Sequence, residues 1–119
     1  MIDENRSDIA TRNLIRRGIE NRLMSPDCMH PLPSLRKASE ELHLSERTLI
    51  RKLKQLDQSF RSILESERKQ YADKLLRDGK YTVFDIADIL GYTESASFCR
   101  AFKAWFGQSP SAYRRNPKE

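Results

Sequence analysis

The chain has 119 residues, with 22 Lys or Arg against 17 Asp or Glu and a formal charge of +5. Apolar residues recur along its whole length, which excludes disorder, and the size favours one domain or two small lobes sharing a helix. A basic balance suits a polyanion, either nucleic acid or an anionic membrane surface, while no apolar run is long enough to predict a membrane-spanning helix.

A first helix is predicted from Ser7 to Met24, where Ile9, Leu14, Ile15, Ile19 and Leu23 fall close to a 3.6-residue period around an interior Gly18. Pro26, Pro31 and Pro33 make Ser25 to Pro33 a loop. Ser34 is an N-cap candidate for a short helix with Leu35, Ala38 and Leu42 on one face. Ser45 is the next candidate, followed by Leu49, Leu53 and Leu56. Ser59 opens a long helix whose buried stripe is Phe60, Ile63, Leu64, Tyr71, Ala72, Leu75 and Leu76, and Gly79 supplies a left-handed stop.

Thr82 and Asp85 have capping-box spacing ahead of Val83, Ile86, Ile89 and Leu90. Gly91 ends that helix. Thr93 or Ser95 is expected to cap the next one, which carries Phe98, Phe102, Trp105 and Phe106 and stops at Gly107. Ser109-Pro110 starts a short last helix with Tyr113 as its anchor. No stretch alternates with period two, so the fold class expected is all-α, with about seven helices and no sheet.

The sequence repeats itself. Ser39-Glu-Glu-Leu42-His43-Leu44-Ser45 aligns with Ala87-Asp-Ile-Leu90-Gly91-Tyr92-Thr93 at an offset of 48. Leu49, Arg51, Leu53 and Lys54 align with Phe98, Arg100, Phe102 and Lys103 at an offset of 49, so the second copy has one extra residue near the start of its second helix. Each copy has the logic of a helix-turn-helix. A small residue lets two helices approach, a left-handed residue turns the chain, an apolar residue tucks inward, and a capped second helix offers its outer face to a major groove. Ordinary bundles also contain such pairs. Two copies in one basic chain, each with Arg and Lys on the second helix, favour DNA.

With Ile86-Ala-Asp-Ile-Leu-Gly-Tyr-Thr93, Phe98-Cys-Arg-Ala-Phe-Lys103, Phe106-Gly107 and Pro110-Ser-Ala-Tyr-Arg114, the chain resembles the DNA-binding domain of the AraC/XylS family of bacterial transcription regulators. The resemblance covers about Ser34 to Arg114, and Arg68, Ala72, Leu75 and Leu76 match the family's linker helix. It implies two helix-turn-helix lobes (35–56 and 83–106) joined by a linker helix (60–78), within a domain over 34–115. An N-terminal helix and Pro-containing loop (1–33) precede that domain and a short tail (116–119) follows it. Adjacent major-groove segments lie roughly 34 Å apart; a linker of this length spans about 27 Å. Ser39, His43 and Asp57 depart from the family's usual Ala, Gly and Gly, so the first motif is expected to be the less stable or slightly rotated one.

By the same resemblance, Arg47, Thr48, Ile50 and Arg51 on the first recognition helix, and Ser95, Ala96, Ser97 and Arg100 on the second, occupy base-reading positions. Arg47 and Arg51 are four apart and share a face. Arg pairs bidentately with guanine, and Ile50 can meet a thymine methyl. The plainer reading of Arg47 is a surface ion pair, and of Glu46 a helix-start charge. Lys54 and Lys103 suit phosphates. The second motif follows the family pattern more closely yet offers smaller side chains to the bases, so its half leans on Arg100, phosphate contacts and DNA shape.

Cys28 and Cys99 form no metal-ligand spacing and are expected as reduced thiols. His30 and His43 read as loop and turn residues. No nucleophile–base set or phosphate-cradling Gly loop is present, so neither an enzyme, a metal nor a cofactor is expected. The start, Met1-Ile-Asp-Glu-Asn-Arg6, lacks the apolar stretch of a signal peptide, and a cytoplasmic protein is expected. The partners expected are double-stranded DNA and RNA polymerase, with no membrane, for a monomer. About 33 residues precede the first motif, too few for a ligand-binding barrel, which suggests a short regulator or part of a longer one. The competing class is a helical protein-interaction module with a basic face.

Overall fold

A computed structural model describes residues 2–24 and 32–115. Pro26, Cys28, His30 and Pro31, read above as loop residues and a thiol, lie outside the described residues, as does the 116–119 tail. Among the described residues there are seven helices and no strand: α1 (Ile2–Leu23), α2 (Leu35–Glu41), α3 (Glu46–Lys54), α4 (Phe60–Asp78), α5 (Val83–Ile89), α6 (Ser95–Phe106) and α7 (Pro110–Arg115). They divide into two compact units, Met1–Glu67 and Arg68–Glu119, so α4 contributes its first part to one and its last part to the other.

The helix starts follow from local chemistry. Ser34 Oγ accepts from Lys37 N, and Ser45 Oγ from Thr48 N. Ser59 and Ser62 bond reciprocally, each hydroxyl accepting from the other's backbone N–H. Thr82 and Asp85 form the expected capping box. Each such cap satisfies N–H groups that a helix start leaves unpaired, for about 1 kcal/mol. The expected Thr93 or Ser95 cap is not formed. Glu94 is the N-cap of α6, and its side chain makes no cap hydrogen bond. The extra residue of the second copy shifts the helix start past Thr93, and Ser95 becomes the first helical residue.

In the first unit, Ile15, Ile19 and Leu23 of α1 join Ala38 of α2, Leu49 and Leu53 of α3 and Ile63 of α4 in the core. Truncating one of these Leu or Ile side chains to Ala costs about 2–5 kcal/mol. Two expectations fail here. Leu14 is 49% exposed although it falls near the apolar period, because the inward stripe runs through Asp8, Thr11, Ile15, Ile19 and Leu23. Helix α1 begins at Ile2 instead of Ser7, since the polar run Asp3-Glu-Asn-Arg6 contains no breaker to stop it. Lys52 of α3 reaches back to α1, with Nζ 3.0 Å from Ser7 Oγ and 3.4 Å from Asp8 Oδ1. Glu67, on the inward stripe of α4, is 1% exposed and accepts from Arg16 Nε at 3.4 Å. Burial pushes its carboxyl above the ordinary carboxylate range, neighbouring Glu20 pushes the same way, and Arg16 only partly offsets them.

In the second unit, Phe98 and Phe102 of α6 are fully buried against Ile86, Ala87 and Leu90. Ring contacts continue from Tyr92 to Phe98 (5.7 Å between centroids), to Phe102 (5.8 Å), and on to Tyr113 of α7 (5.2 Å). Helix α7 is clasped to the end of α4. Tyr113 Oη donates to Asp73 Oδ1 at 2.6 Å, and Arg77 Nε donates to the same oxygen at 2.8 Å. Burial raises the Asp73 carboxyl, but these two donors outweigh it and hold it below the ordinary Asp value.

Candidate nucleic-acid interface

The two turns have the same bonding. In the first, Leu42 N donates to Ala38 O, His43 N to Glu40 O and Leu44 N to Ser39 O. In the second, Leu90 N donates to Ile86 O, Gly91 N to Asp88 O and Tyr92 N to Ala87 O. Every pair is displaced by 48 residues, so the repeat read in the sequence is a repeat of backbone geometry. The paired i→i−5 and i→i−3 bonds are those of a Schellman ending, which needs a left-handed residue at its pivot. Gly91 takes that role at φ 86° and His43 at φ 57°. Asp57 does the same after α3, also at φ 57°, with Gln58 N donating to Leu53 O. Ser39 and Ala87 are both buried where the helices approach. The Ser39 hydroxyl is satisfied by Arg36 O at 2.7 Å, so the first motif keeps the same form without Ala.

Helix α3 has four basic residues and one acid among nine. Lys52 is turned to α1, as above, while Arg47, Arg51 and Lys54 are exposed and make no ion pair among the described residues. Some surface cations on other helices do have acid partners, as in Arg36–Glu40 at 3.4 Å and Arg77–Asp73 at 2.8 Å. An i,i+4 pair of like charges lowers helix stability by about 0.2–0.5 kcal/mol. The Arg47–Arg51 face therefore carries repulsion that an anion would relieve. Ile50 is 50% exposed on the same helix. Thr48 is less available. It is half-buried, and its hydroxyl accepts from Ser45 Oγ at 2.9 Å, which occupies one of its two lone pairs.

Beside α3 lies an open apolar groove of roughly 500 Å³, lined by Leu35, Ile50 and Phe60 and edged by Lys54 and Arg61. Sequence reasoning passed over Arg61. It is exposed in the first turn of α4, without an ion pair among the described residues. A cation there opposes the helix dipole. That mismatch was a usable signal.

On α6, Ala96, Arg100 and Lys103 are exposed, while Ser95 and Ser97 are half-buried. The sequence offered Ser97 and Arg100 as separate readers. The structure brings them together, with Arg100 Nη2 donating to Ser97 Oγ at 3.3 Å. Among the described residues no group of three or more His, Cys, Asp or Glu side chains is arranged to hold a metal. No described helix is long and apolar enough to cross a membrane.

Residues 38–116 match the helix-turn-helix domain family. The chain is 39% identical over 85 residues to the ornithine utilization regulator of Pseudomonas aeruginosa, covering 71% of this chain and 25% of that protein. Among solved structures it is similar to the C-terminal domain of AraT, a response regulator from Geobacillus stearothermophilus. The TM-score is 0.70 at 29% identity, over 94% of this chain and 86% of that one. A DNA-binding transcriptional dual regulator from Escherichia coli K-12 shares the fold, with a TM-score of 0.76 at 24% identity over 88% and 89% of the two chains. The chain spans about a quarter of the length of the curated relatives it matches. The chain that carries this repeat of 48 residues belongs to the AraC-type helix-turn-helix family of transcriptional regulators.

Proposed function

We propose that the chain binds double-stranded DNA in a sequence-selective way to regulate transcription, with α3 and α6 in adjacent major-groove segments. The observation that carries this reading is the pair of identically bonded turns, each followed by a helix with an outward arginine. On α3, Arg47 and Arg51 suit guanine edges, Ile50 a thymine methyl, and Thr48 a single acceptor. On α6, Arg100 is the main reader, with Ser95, Ala96 and Ser97 close to the bases but chemically spare. Lys54 and Lys103 contact phosphates, and Arg61 joins them. The second segment is then read more through shape and backbone than the first.

Within this reading the protein works in the cytoplasm as a monomer without catalysis, and RNA polymerase is its protein partner. Phe84, 75% exposed on α5, is the observation that favours a protein contact in addition to DNA. Retardation of random-sequence DNA tests the reading. Binding at low salt that weakens steeply as salt rises, through counterion release, is the expected outcome. Absence of binding at low salt would replace it with the protein-interaction reading.

A further inference from the structure

The start of α6 lacks the local support that α3 has. Ser45 caps α3 through Thr48 N at 3.0 Å, whereas Glu94 gives α6 no side-chain cap. The direction of the first turn of α6 must therefore come from tertiary contacts. One side chain makes two of them. Arg68 Nε donates to Leu90 O at 2.8 Å, and its guanidinium carbon lies 4.5 Å from the centroid of the Tyr92 ring. Leu90 is fully buried and is the C-cap of α5, where helix geometry leaves carbonyls without intrahelical donors. The Tyr92 ring lies 5.7 Å from that of Phe98, which is fully buried in the first turn of α6. Phe98 directly follows Ser97 and lies two residues before Arg100. A short chain of contacts thus runs from α4 through the turn to the proposed reading residues.

We infer that Arg68 is a positioning residue for DNA reading by α6. It holds the turn by a hydrogen bond and a ring contact, and so sets the direction in which Ser95, Ala96, Ser97 and Arg100 leave the motif. Arginine suits this task because its planar group donates to a carbonyl from its edge while its face lies against a ring, a geometry that an ammonium lacks. The first motif has Leu44 in place of Tyr92 and offers no ring to hold. The inference rests on the proposed reading of DNA by α6.

The test uses Arg68→Met and Arg68→Lys in the full chain, with DNA selected by the wild-type protein from a random pool. Base preferences are measured position by position in the segments assigned to α3 and to α6. The expected result for Arg68→Met is about a tenfold weaker affinity. Preferences flatten in the α6 segment alone, and amide hydrogen exchange from Tyr92 to Phe98 speeds up without DNA. Arg68→Lys, which keeps the charge and the stem, shows the same one-sided flattening and carries the test should Arg68→Met not fold. Equal flattening in both segments, or unchanged preferences, overturns the inference. A wild-type protein without preference in the α6 segment refutes DNA reading by α6 and the inference with it. Unchanged hydrogen exchange in Arg68→Met refutes the positioning role alone.

Discussion

Replacing His43 with glycine removes a backbone cost that the second motif does not bear. His43 stands at φ 57° in a turn whose hydrogen bonds match those around Gly91 one for one. A left-handed conformation costs an L-residue about 1–2 kcal/mol. Glycine escapes that cost but loses about 0.5–1 kcal/mol more chain entropy on folding. The His43 side chain is exposed and makes no hydrogen bond among the described residues, so nothing else is given up. The net expectation for His43→Gly is a stabilisation of about 0.5–1 kcal/mol. For a unit of this size that raises the melting temperature by about 4 °C. Urea and thermal denaturation followed by circular dichroism measure it. His43→Ala, which keeps the Cβ, separates release of strain from loss of the imidazole and is expected to gain nothing. Equal effects of the two substitutions, or a destabilised His43→Gly, would refute the strain argument.

Gly18→Ala is expected to stabilise α1 by about 1 kcal/mol, since an added Cβ there meets no atom within 4 Å; a lower urea midpoint would count against it. Glu67 gives a pH dependence of definite sign. Its folded pKa is raised, so its stabilising contribution is complete below the ordinary carboxylate range and is lost as pH rises through the raised value. Glu67→Gln keeps an acceptor for Arg16 and supplies a donor toward Glu20, and should therefore be more stable than the wild-type protein at neutral pH. A loss of stability at that pH would reverse the assignment. Lys54→Ala is expected to weaken binding to all DNA sequences alike and to lower the slope of log affinity against log salt by about 0.9; an unchanged slope would remove Lys54 from the phosphate contacts.

Much of this molecule was legible in the sequence because its signals are local. Ser34, Ser45, Ser59 and Thr82 cap the helices that follow them, and His43, Asp57, Gly79, Gly91 and Gly107 all have positive φ. Caps and left-handed stops depend on a few neighbouring residues, so their spacing is informative. The Glu94 start of α6 escaped because a one-residue insertion decides it and a hydroxyl pattern cannot say which side it falls on. Glu67 looked like a surface charge within its own helix. Its partners Arg16 and Glu20 lie on another helix, Arg16 51 residues away. The contacts of Lys52 and Arg68 were hidden for the same reason, since their partners Asp8 and Leu90 lie 44 and 22 residues away. Of the candidate interface, the exposure of Arg47, Ile50 and Arg51 on α3 and of Ala96 and Arg100 on α6 follows from helical periodicity, but the pairing of Ser97 with Arg100 and the partial use of the Thr48 hydroxyl needed side-chain geometry.

The central claim is that α3 and α6 each read one segment of the same DNA site. Chemical footprinting on a selected target tests it most directly, with Arg51→Ala and Arg100→Ala compared against the wild-type protein. The account predicts protection of two successive major-groove segments, with each substitution costing about 1–3 kcal/mol and relaxing base preference in only one of them, a different one for each variant. Both substitutions relaxing the same segment, or neither relaxing any while random-sequence binding falls in parallel, would contradict it.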